Sequence, residues 1–99
     1  MRWFYEGAVL APMAGLTDSA FRRVCLSMGA TCVLTEMVSA AGLVRGSRRS
    51  LALLSHSPEE VPLGAQLFGS RPGELATAAA MVSDPSFGFD FIDLNAGCP

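Results

Sequence analysis

The stretch "FIDLNAGCP", residues 91–99, alternates apolar and polar side chains and then places a cysteine between a glycine and a proline. Alternation is the pattern of a β-strand, in which successive side chains point to opposite faces. It puts Phe91, Asp93 and Asn95 on one face. The strand therefore has a polar face near its tip and carries the thiol of Cys98 just beyond that tip.

Three further apolar runs precede this one, and each is followed by a turn or a helix-capping signal. The four runs are "AVLAPM" (8–13), "TCVLTEM" (31–37), "PLGAQLF" (62–68) and "FDFIDLN" (89–95). Segments with helical spacing separate them, so the predicted order is β-α-β-α-β-α-β. Strands that alternate with helices run parallel, because each crossover returns the chain to the same edge of the sheet.

The three helical segments are marked with different clarity. The first has an apolar stripe formed by Phe21, Val24, Cys25 and Met28. Either Thr17 or Asp18 can accept its free first-turn N–H groups. The third has Pro72 in its first turn and a stripe formed by Leu75, Ala79 and Val82. The middle segment, about 38–54, is predicted as one helix, although Gly42 and Gly46 interrupt it.

Two architectures have this element order: a doubly wound open sheet, or the first half of a (β/α)8 barrel. A dinucleotide-binding open sheet needs a glycine-rich turn directly after its first strand, whereas the turn here, "APMAGLTD", has one glycine. The pattern therefore favours the barrel. A barrel carries its chemistry at the carboxyl ends of its strands. Those tips are residues 12–14, 36–37, 66 and 95–98.

Composition limits the class of protein. The chain has 99 residues, enough for one small domain, yet only 16% are charged and 51% are hydrophobic. An average soluble domain has about 25% charged residues, and a short chain has more surface to cover. The chain is therefore either an unusually apolar domain or part of a larger one. No apolar run approaches the roughly 18 residues needed to span a bilayer.

Charge and cysteine usage narrow the class further. Seven arginines, no lysine and a net charge of −2 predict no general attraction to nucleic acid or to membrane surfaces. Three cysteines without a C-x-x-C pair, and a single histidine, argue against both a zinc site and a secreted disulfide scaffold. We therefore expect no metal site and a reducing compartment, the cytoplasm.

Cys98 is the cysteine whose setting suits chemistry. An unperturbed thiol has a pKa near 8.5, so it is mostly protonated at neutral pH and can donate a proton. With a positive neighbour it could instead act as a thiolate nucleophile. Cys25 lies on a predicted helix face and Cys32 opens a predicted strand, so both are expected in the core.

The residues at the other strand tips also suggest functions, and two of these tips allow a structural interpretation as well. The small residues around Met13 let a planar ligand approach the backbone, or simply form a tight turn. Gln66 lies among apolar neighbours and could pair with a ring that has adjacent N–H and C=O groups, or with a neighbouring backbone. Asn95 is placed to bond a polar ligand. Asp93 lies deeper and is expected to pair with an inward-facing polar group.

Two surface features remain. His56 falls in a polar loop and is expected to be solvated rather than catalytic. Arg45, Arg48 and Arg49 form the basic cluster of the chain, which is either a solvated surface or a contact for phosphate groups.

Four segments of the sequence carry a family resemblance. They are "LAPMAGLTDSAFR" (10–22), "TEMVSA" (35–40), "QLFGS" (66–70) and "IDLNAGCP" (92–99). In order and spacing they resemble the N-terminal part of the tRNA-dihydrouridine synthases. The first and last segments are the specific ones, and together the four cover nearly the whole chain.

The resemblance implies a flavoenzyme with an FMN-binding (β/α)8 barrel and a small helical RNA-binding domain. Such enzymes reduce the C5–C6 double bond of uridines in tRNA: NADPH reduces the flavin, hydride reaches C6, and a cysteine protonates C5. The residue that matches this general acid is Cys98. The residues that match cofactor contacts are Pro12, Met13, Ala14 and Gln66, and the residue that matches a uracil contact is Asn95.

The resemblance also implies that residues 1–99 are only the first half of the barrel. The lysine expected near the flavin has no counterpart in a chain without lysine. We therefore expect the chain alone to be inactive, to bind FMN weakly, and to associate with itself through exposed sheet edges. The alternatives are another FMN-dependent barrel reductase acting on a small substrate, and a non-catalytic module built from the fragment.

Overall fold

The structure is a computed structural model that describes residues 6–97, so Cys98 and Pro99 lie outside the described residues. Nine elements follow one another along the chain. They are β1 (Val9–Leu10), α1 (Ser19–Ser27), β2 (Cys32–Leu34), β3 (Val38–Ser39), α2 (Ala40–Val44), α3 (Arg48–Leu53), β4 (Leu63–Phe68), α4 (Pro72–Val82) and β5 (Phe91–Leu94).

The strands form one parallel sheet that follows the order of the chain, with β2 and β3 one after the other along the same edge of β4. β1 pairs with β2, both β2 and β3 pair with β4, and β4 pairs with β5. A doubly wound sheet reverses its strand order part-way, whereas a barrel adds each strand beside the previous one. The observed order therefore agrees with the prediction of the first half of a (β/α)8 barrel.

The second predicted strand is divided in two. β2 and β3 both pair with β4, but residues 35–37 between them leave the ladder. The cause is the side chain of Thr35, whose Oγ1 accepts the backbone N–H of Gln66 at 3.1 Å and donates to the carbonyl of Glu36 at 2.9 Å. The hydroxyl thus takes a position that a backbone carbonyl would hold in an uninterrupted strand.

The middle helix is also divided, and the prediction of a single helix over 38–54 was wrong. Ser39 accepts the N–H of Gly42 at 3.0 Å and so caps α2, whereas Ser47 accepts the N–H of Ser50 at 3.3 Å and caps α3. Between the two helices Gly46 has φ +74°, a left-handed conformation that ends α2. The chain therefore has two short helices where one was expected.

The first helix buries a different face from the one predicted. Asp18 is its cap, accepting the N–H of Phe21 at 2.9 Å, but Val24 and Met28 are 59% and 83% exposed. The buried residue of α1 is Arg22, which is 1% exposed. This helix turns a cation toward the protein because a buried carboxylate, described below, lies opposite it.

The main core lies between the outer face of the sheet and helices α2, α3 and α4. Its buried members are Val38, Ala40, Leu43, Leu54, Ala65, Leu67, Ala78 and Val82. The predicted stripe of α4 is confirmed, since Leu75 and Ala79 pack against this cluster as well. Ile92 also packs on it, as expected for the outer face of β5, whereas Leu94 is 58% exposed.

Three smaller predictions have mixed outcomes. Cys32 is fully buried, as expected, but Cys25 is only half-buried. His56 is not a solvated loop residue: it is half-buried, its Nδ1 lies 2.9 Å from the carbonyl of Leu54, and its ring centroid lies 4.8 Å from that of Phe89. An aromatic neighbour that the loop composition did not indicate therefore covers the imidazole.

Candidate active site

The carboxyl ends of all the strands meet at one edge of the sheet, and a cleft opens there. The cleft has a volume of about 420 Å³ and is lined by residues from the ends of β1, β3 and β4 and from α3, among them Ala14, Glu36, Met37, Phe68 and Arg49. In a parallel α/β fold this edge is where ligands bind. The predicted tip residues 12–14, 66 and 95 all lie along it.

The turn after β1 is closed by Thr17. The backbone N–H of Met13 donates to Thr17 Oγ1 at 3.0 Å, and the Thr17 hydroxyl and N–H both reach back to the Met13 carbonyl. Thr17 is completely buried, whereas Met13 is 41% exposed and Ala14 is exposed. The turn therefore exposes an apolar side chain, Met13, and places the small Ala14 at the cleft, while the N–H and carbonyl of Met13 are already paired.

Glu36 ties this turn to the next strand. Its Oε1 accepts the N–H of Gly15, which has φ +78° and so makes the left-handed bend in the turn. The sequence placed Glu36 at a strand tip without giving it a role. The hydrogen bond shows that it holds the end of β1 against the end of β2.

Gln66 is held by side chains of β5, not by the backbone that one reading suggested. Gln66 faces Asp93 in the ladder, and its Nε2 donates to Asp93 Oδ2 at 2.7 Å. Its Oε1 accepts from Asn95 Nδ2 at 3.4 Å. The prediction that Asp93 pairs with an inward-facing polar group is confirmed, since Gln66, only 7% exposed, is that group.

Asn95 connects three strand tips. Its Nδ2 lies 3.8 Å from the sulfur of Met37, in addition to its bond with Gln66. Its Oδ1 accepts the N–H of Gly97 at 2.9 Å, so the side chain also fixes the turn that leads to Cys98. Cys98 lies outside the described residues, and the described chain ends one residue before it.

A buried ion pair stabilises the turn that follows β1. The Arg22 Nε and Glu60 Oε1 form a salt bridge with both side chains almost fully buried. Arg22 also donates to the carbonyls of Thr17 at 2.8 Å and Ser55 at 3.1 Å. Because Thr17 closes the turn at Met13, the pair links that turn to the loop before β4. Sequence reasoning missed it, although an arginine beside an apolar helix stripe is a signal that could have suggested it.

Two buried groups, Glu60 and Cys32, have shifted pKa values. Burial opposes ionisation of Glu60, but hydrogen bonds from the Ser19 hydroxyl, the Ser57 N–H and Arg22 together hold the pKa of this carboxyl below its usual value. Burial raises the pKa of the Cys32 thiol. Cys32 is therefore a protonated core residue at neutral pH.

A comparison with known protein families identifies the family of the chain. The family model for dihydrouridine synthase matches residues 9–99, which is nearly the whole chain. The chain belongs to the dihydrouridine synthase family. The matched region includes β1 with its turn, the sheet to β5, and the segment that contains Cys98.

Individual relatives agree with this assignment. The chain is 44% identical over 96 residues to a probable tRNA-dihydrouridine synthase of Aquifex aeolicus, an alignment that covers 96% of the chain and 30% of that relative. It is 42% identical over 91 residues to tRNA-dihydrouridine synthase B of Pseudomonas aeruginosa, covering 92% and 27%. It is 35% identical over 96 residues to a tRNA-dihydrouridine(47) synthase [NAD(P)(+)] of Cryptococcus neoformans, covering 94% and 13%.

The chain therefore spans about 30% or less of the length of these relatives. Within residues 6–97, no helix is long and apolar enough to cross a membrane. The same residues contain no cluster of three or more histidine, cysteine or acidic side chains placed to hold a metal ion.

Proposed function

We propose that this chain is the N-terminal part of the barrel of a flavoenzyme that reduces uridine to 5,6-dihydrouridine in tRNA. The observation that carries the proposal is that hydrogen bonds join the ends of several strands, in a region that matches the dihydrouridine synthase family. Glu36 links the ends of β1 and β2, and Asn95 links the region of Met37, the end of β4 and the segment that leads to Cys98. The described tip residues Met13, Ala14, Gln66 and Asn95 thus lie at the same edge of the sheet, and Cys98 follows that edge in the sequence.

The residues at this edge fit a flavin in shape and in hydrogen bonding. The exposed Met13 and the small Ala14 form an apolar surface suited to a flat ring system. Gln66 uses one N–H and one lone pair of its amide within the protein, which leaves the amide one further donor and one further acceptor. Adjacent donor and acceptor groups complement the N–H and C=O groups at the polar edge of a flavin. When bound, FMN would supply hydride to C6 of the uracil, after reduction by NADPH.

Asn95 and Cys98 would act on the uracil base. Asn95 lies beside Gln66, where its amide can orient a pyrimidine through hydrogen bonds. The Cys98 thiol, protonated at neutral pH at an ordinary acidity, would donate its proton to C5 as general acid. The base must leave its stack to reach such a site, as enzymes that modify bases require.

Contact with tRNA would come in part from the arginine cluster. Arg45, Arg48 and Arg49 are exposed, and no carboxylate of residues 6–97 forms a salt bridge with any of them. Arg49 lines the cleft at the carboxyl edge of the sheet. Arginines that are exposed and lack an acidic partner suit phosphate groups of a nucleic acid. The cluster would therefore hold the tRNA backbone near the site.

The other parts of the enzyme would come from outside these 99 residues. They are the second half of the barrel, a helical RNA-binding domain, the lysine and histidine expected near the flavin, and the loops that hold the flavin phosphate; residues 1–99 contain no lysine. We therefore expect the 99-residue chain alone to lack activity.

The proposal is tested with a full-length protein that contains this chain. It is incubated with FMN, NADPH and tRNA made without modifications, and the nucleosides are analysed by mass spectrometry. We expect dihydrouridine to form only when tRNA, flavin and NADPH are all present. A yellow, NADPH-oxidising protein that leaves every uridine unchanged would overturn the assignment of tRNA as substrate.

A further inference from the structure

Asp93 is an inward-facing carboxylate to which the chemistry described above gives no task. It lies on β5 directly across the ladder from Gln66, two residues before Asn95 and on the same face of the strand. Its Oδ2 accepts from Gln66 Nε2 at 2.7 Å, the shortest bond of the group of side chains around Gln66. Asp93 is half-buried, so this bond is partly shielded from solvent.

A carboxylate imposes a direction on the amides next to it. An ionised carboxylate can only accept hydrogen bonds, so the NH2 group of Gln66, and not its oxygen, must face Asp93. The oxygen of Gln66 then faces Asn95, which must present its own NH2 group. The oxygen of Asn95 is consequently the atom that accepts the N–H of Gly97.

The three bonds form one directed chain from Asp93 to the backbone beside Cys98. An amide can rotate by 180° and exchange donor for acceptor at little cost in shape, so its partners decide its direction. The Gly97 N–H can only donate and already holds the oxygen of Asn95, so the freedom that is left belongs to Gln66, whose bond with Asn95 is long at 3.4 Å. Asp93 removes that freedom, since a rotated Gln66 would place its oxygen against the carboxylate. A bond with a charged acceptor is also stronger than one between neutral groups.

We propose that Asp93 is a positioning residue: it fixes the orientation of Gln66, and through Gln66 it supports the placement of Asn95 and of the segment that precedes Cys98. The inference rests on the proposed function, because it assigns Asp93 a part in the reaction that Asn95 and Cys98 serve. Asp93 touches neither substrate nor cofactor in this account. Its effect on the reaction passes entirely through its two amide neighbours.

Asp90 offers a matched control. It is an aspartate near the other end of β5, and its Oδ2 accepts the N–H of Leu63 at 2.8 Å. It therefore also ties the β5 segment to β4 with a carboxylate, but at the amino end of the strands, away from the site. Replacing it removes a comparable structural bond and leaves the amide chain intact.

The test compares Asp93→Ala, Asp93→Asn and Asp90→Ala in the full-length synthase. We expect Asp93→Ala to lower kcat by about tenfold or more while KM for tRNA stays within about threefold, since misplaced catalytic groups mainly cost rate. Asp93→Asn should recover only part of kcat, because its side-chain oxygen can accept the same bond from Gln66 but its own amide can rotate and carries no charge. Asp90→Ala should leave kcat unchanged even if the melting temperature falls.

A second readout does not depend on activity. Hydrogen exchange of the Gly97 amide, measured by NMR in the flavin-free protein, should quicken by about threefold or more in Asp93→Ala and stay at the wild-type rate in Asp90→Ala. The inference is overturned if Asp93→Ala keeps both the wild-type kcat and the wild-type Gly97 exchange. It is also overturned if Asp93→Ala and Asp90→Ala lose kcat equally. A wild-type protein that forms no dihydrouridine would defeat the proposed function instead, and the Gly97 measurement would still report on the amide chain.

Discussion

Arg22 shows how much one side chain decides in this fold. Arg22 lies on a helix with several apolar residues, yet it is the buried residue of α1. Its guanidinium joins Glu60 to the carbonyls of Thr17 and Ser55, and Thr17 in turn fixes the backbone of Met13. The charge therefore stabilises the turn of the candidate site through Thr17.

Replacing Arg22 should be costly. Arg22→Met leaves the Glu60 carboxylate buried without its cation, and breaking a buried pair in this way costs about 3 kcal/mol or more. Arg23→Met changes the exposed neighbour and should alter the free energy of unfolding by no more than about 0.5 kcal/mol. Urea denaturation of the two variants measures the difference. Equal stabilities would show that the buried pair contributes nothing to the folded state.

The same pair predicts a response to acid. The folded protein holds the pKa of Glu60 below 4.5, the value for an isolated glutamate. The contribution of Glu60 to the free energy of unfolding is therefore complete above pH 4.5, and it is lost as the pH falls through the folded-state pKa. The free energy of unfolding should therefore decline on acidification below pH 4.5. Glu60→Gln should be less stable at neutral pH and flatten this decline, whereas Glu59→Gln, at an exposed position, should follow the wild type. Parallel curves for wild type and Glu60→Gln would contradict the assignment.

At the scale of elements, the sequence predicted most of what depends on periodicity, apart from the buried face of α1, and missed what depends on single side-chain bonds. The four apolar runs, the parallel order and the stripe of α4 follow from repeating patterns, which are local. The breaks within the second strand and the middle helix follow from the hydroxyls of Thr35, Ser39 and Ser47, each of which takes a backbone partner. A serine or threonine can equally face solvent, so its sequence position alone does not reveal the break.

The candidate site was likewise predicted only in part from the sequence. The tip residues Met13, Gln66 and Asn95 were predicted because strand ends in a parallel sheet meet at one edge. Their partners, Thr17 and Glu36 among them, were not assigned roles, since hydrogen bonds between residues far apart in sequence depend on the register of the finished sheet. Patterns thus located the site, and the structure supplied the bonds that hold it.

Helix α3 carries the prediction for RNA contact. Replacing both Arg48 and Arg49 with glutamine should weaken tRNA binding and reduce the slope of log Kd against log salt concentration by about 1 to 2. The matched variant with lysine at both positions keeps the charge and should keep the slope. Fluorescence anisotropy over a range of salt concentrations measures both. An unchanged slope in the glutamine variant would mean that these arginines are solvated surface.

At the scale of the whole molecule, some of the exposed apolar side chains lie on the outer strand β5 and on the helix that follows the outer strand β1. β1 and β5 are its outer strands in the described part of the chain. Val24 and Met28 are exposed on α1, the helix that follows β1, and Leu94 is exposed on β5. In a closed barrel the margins of the sheet would meet further strands and helices. The distribution agrees with a sheet that continues on both sides.

The 99-residue chain alone should therefore associate with itself. Exposed sheet margins with apolar side chains favour pairing between molecules. Sedimentation velocity should show oligomers whose proportion rises with concentration, and the double variant Val24→Glu, Leu94→Glu should shift the distribution toward monomer. A monodisperse monomer of the unaltered chain at every concentration would contradict this expectation.

The most direct test of the central claim is the rate of dihydrouridine formation by Cys98→Ala in the full-length protein, with Cys25→Ala as its control. We expect Cys98→Ala to retain flavin but to reduce tRNA at least about 100-fold more slowly, the contribution expected of a general acid. Cys25→Ala, which alters a half-buried helix residue, should react at the wild-type rate. A Cys98→Ala enzyme that keeps the wild-type rate would contradict the assignment of this strand tip as the proton donor.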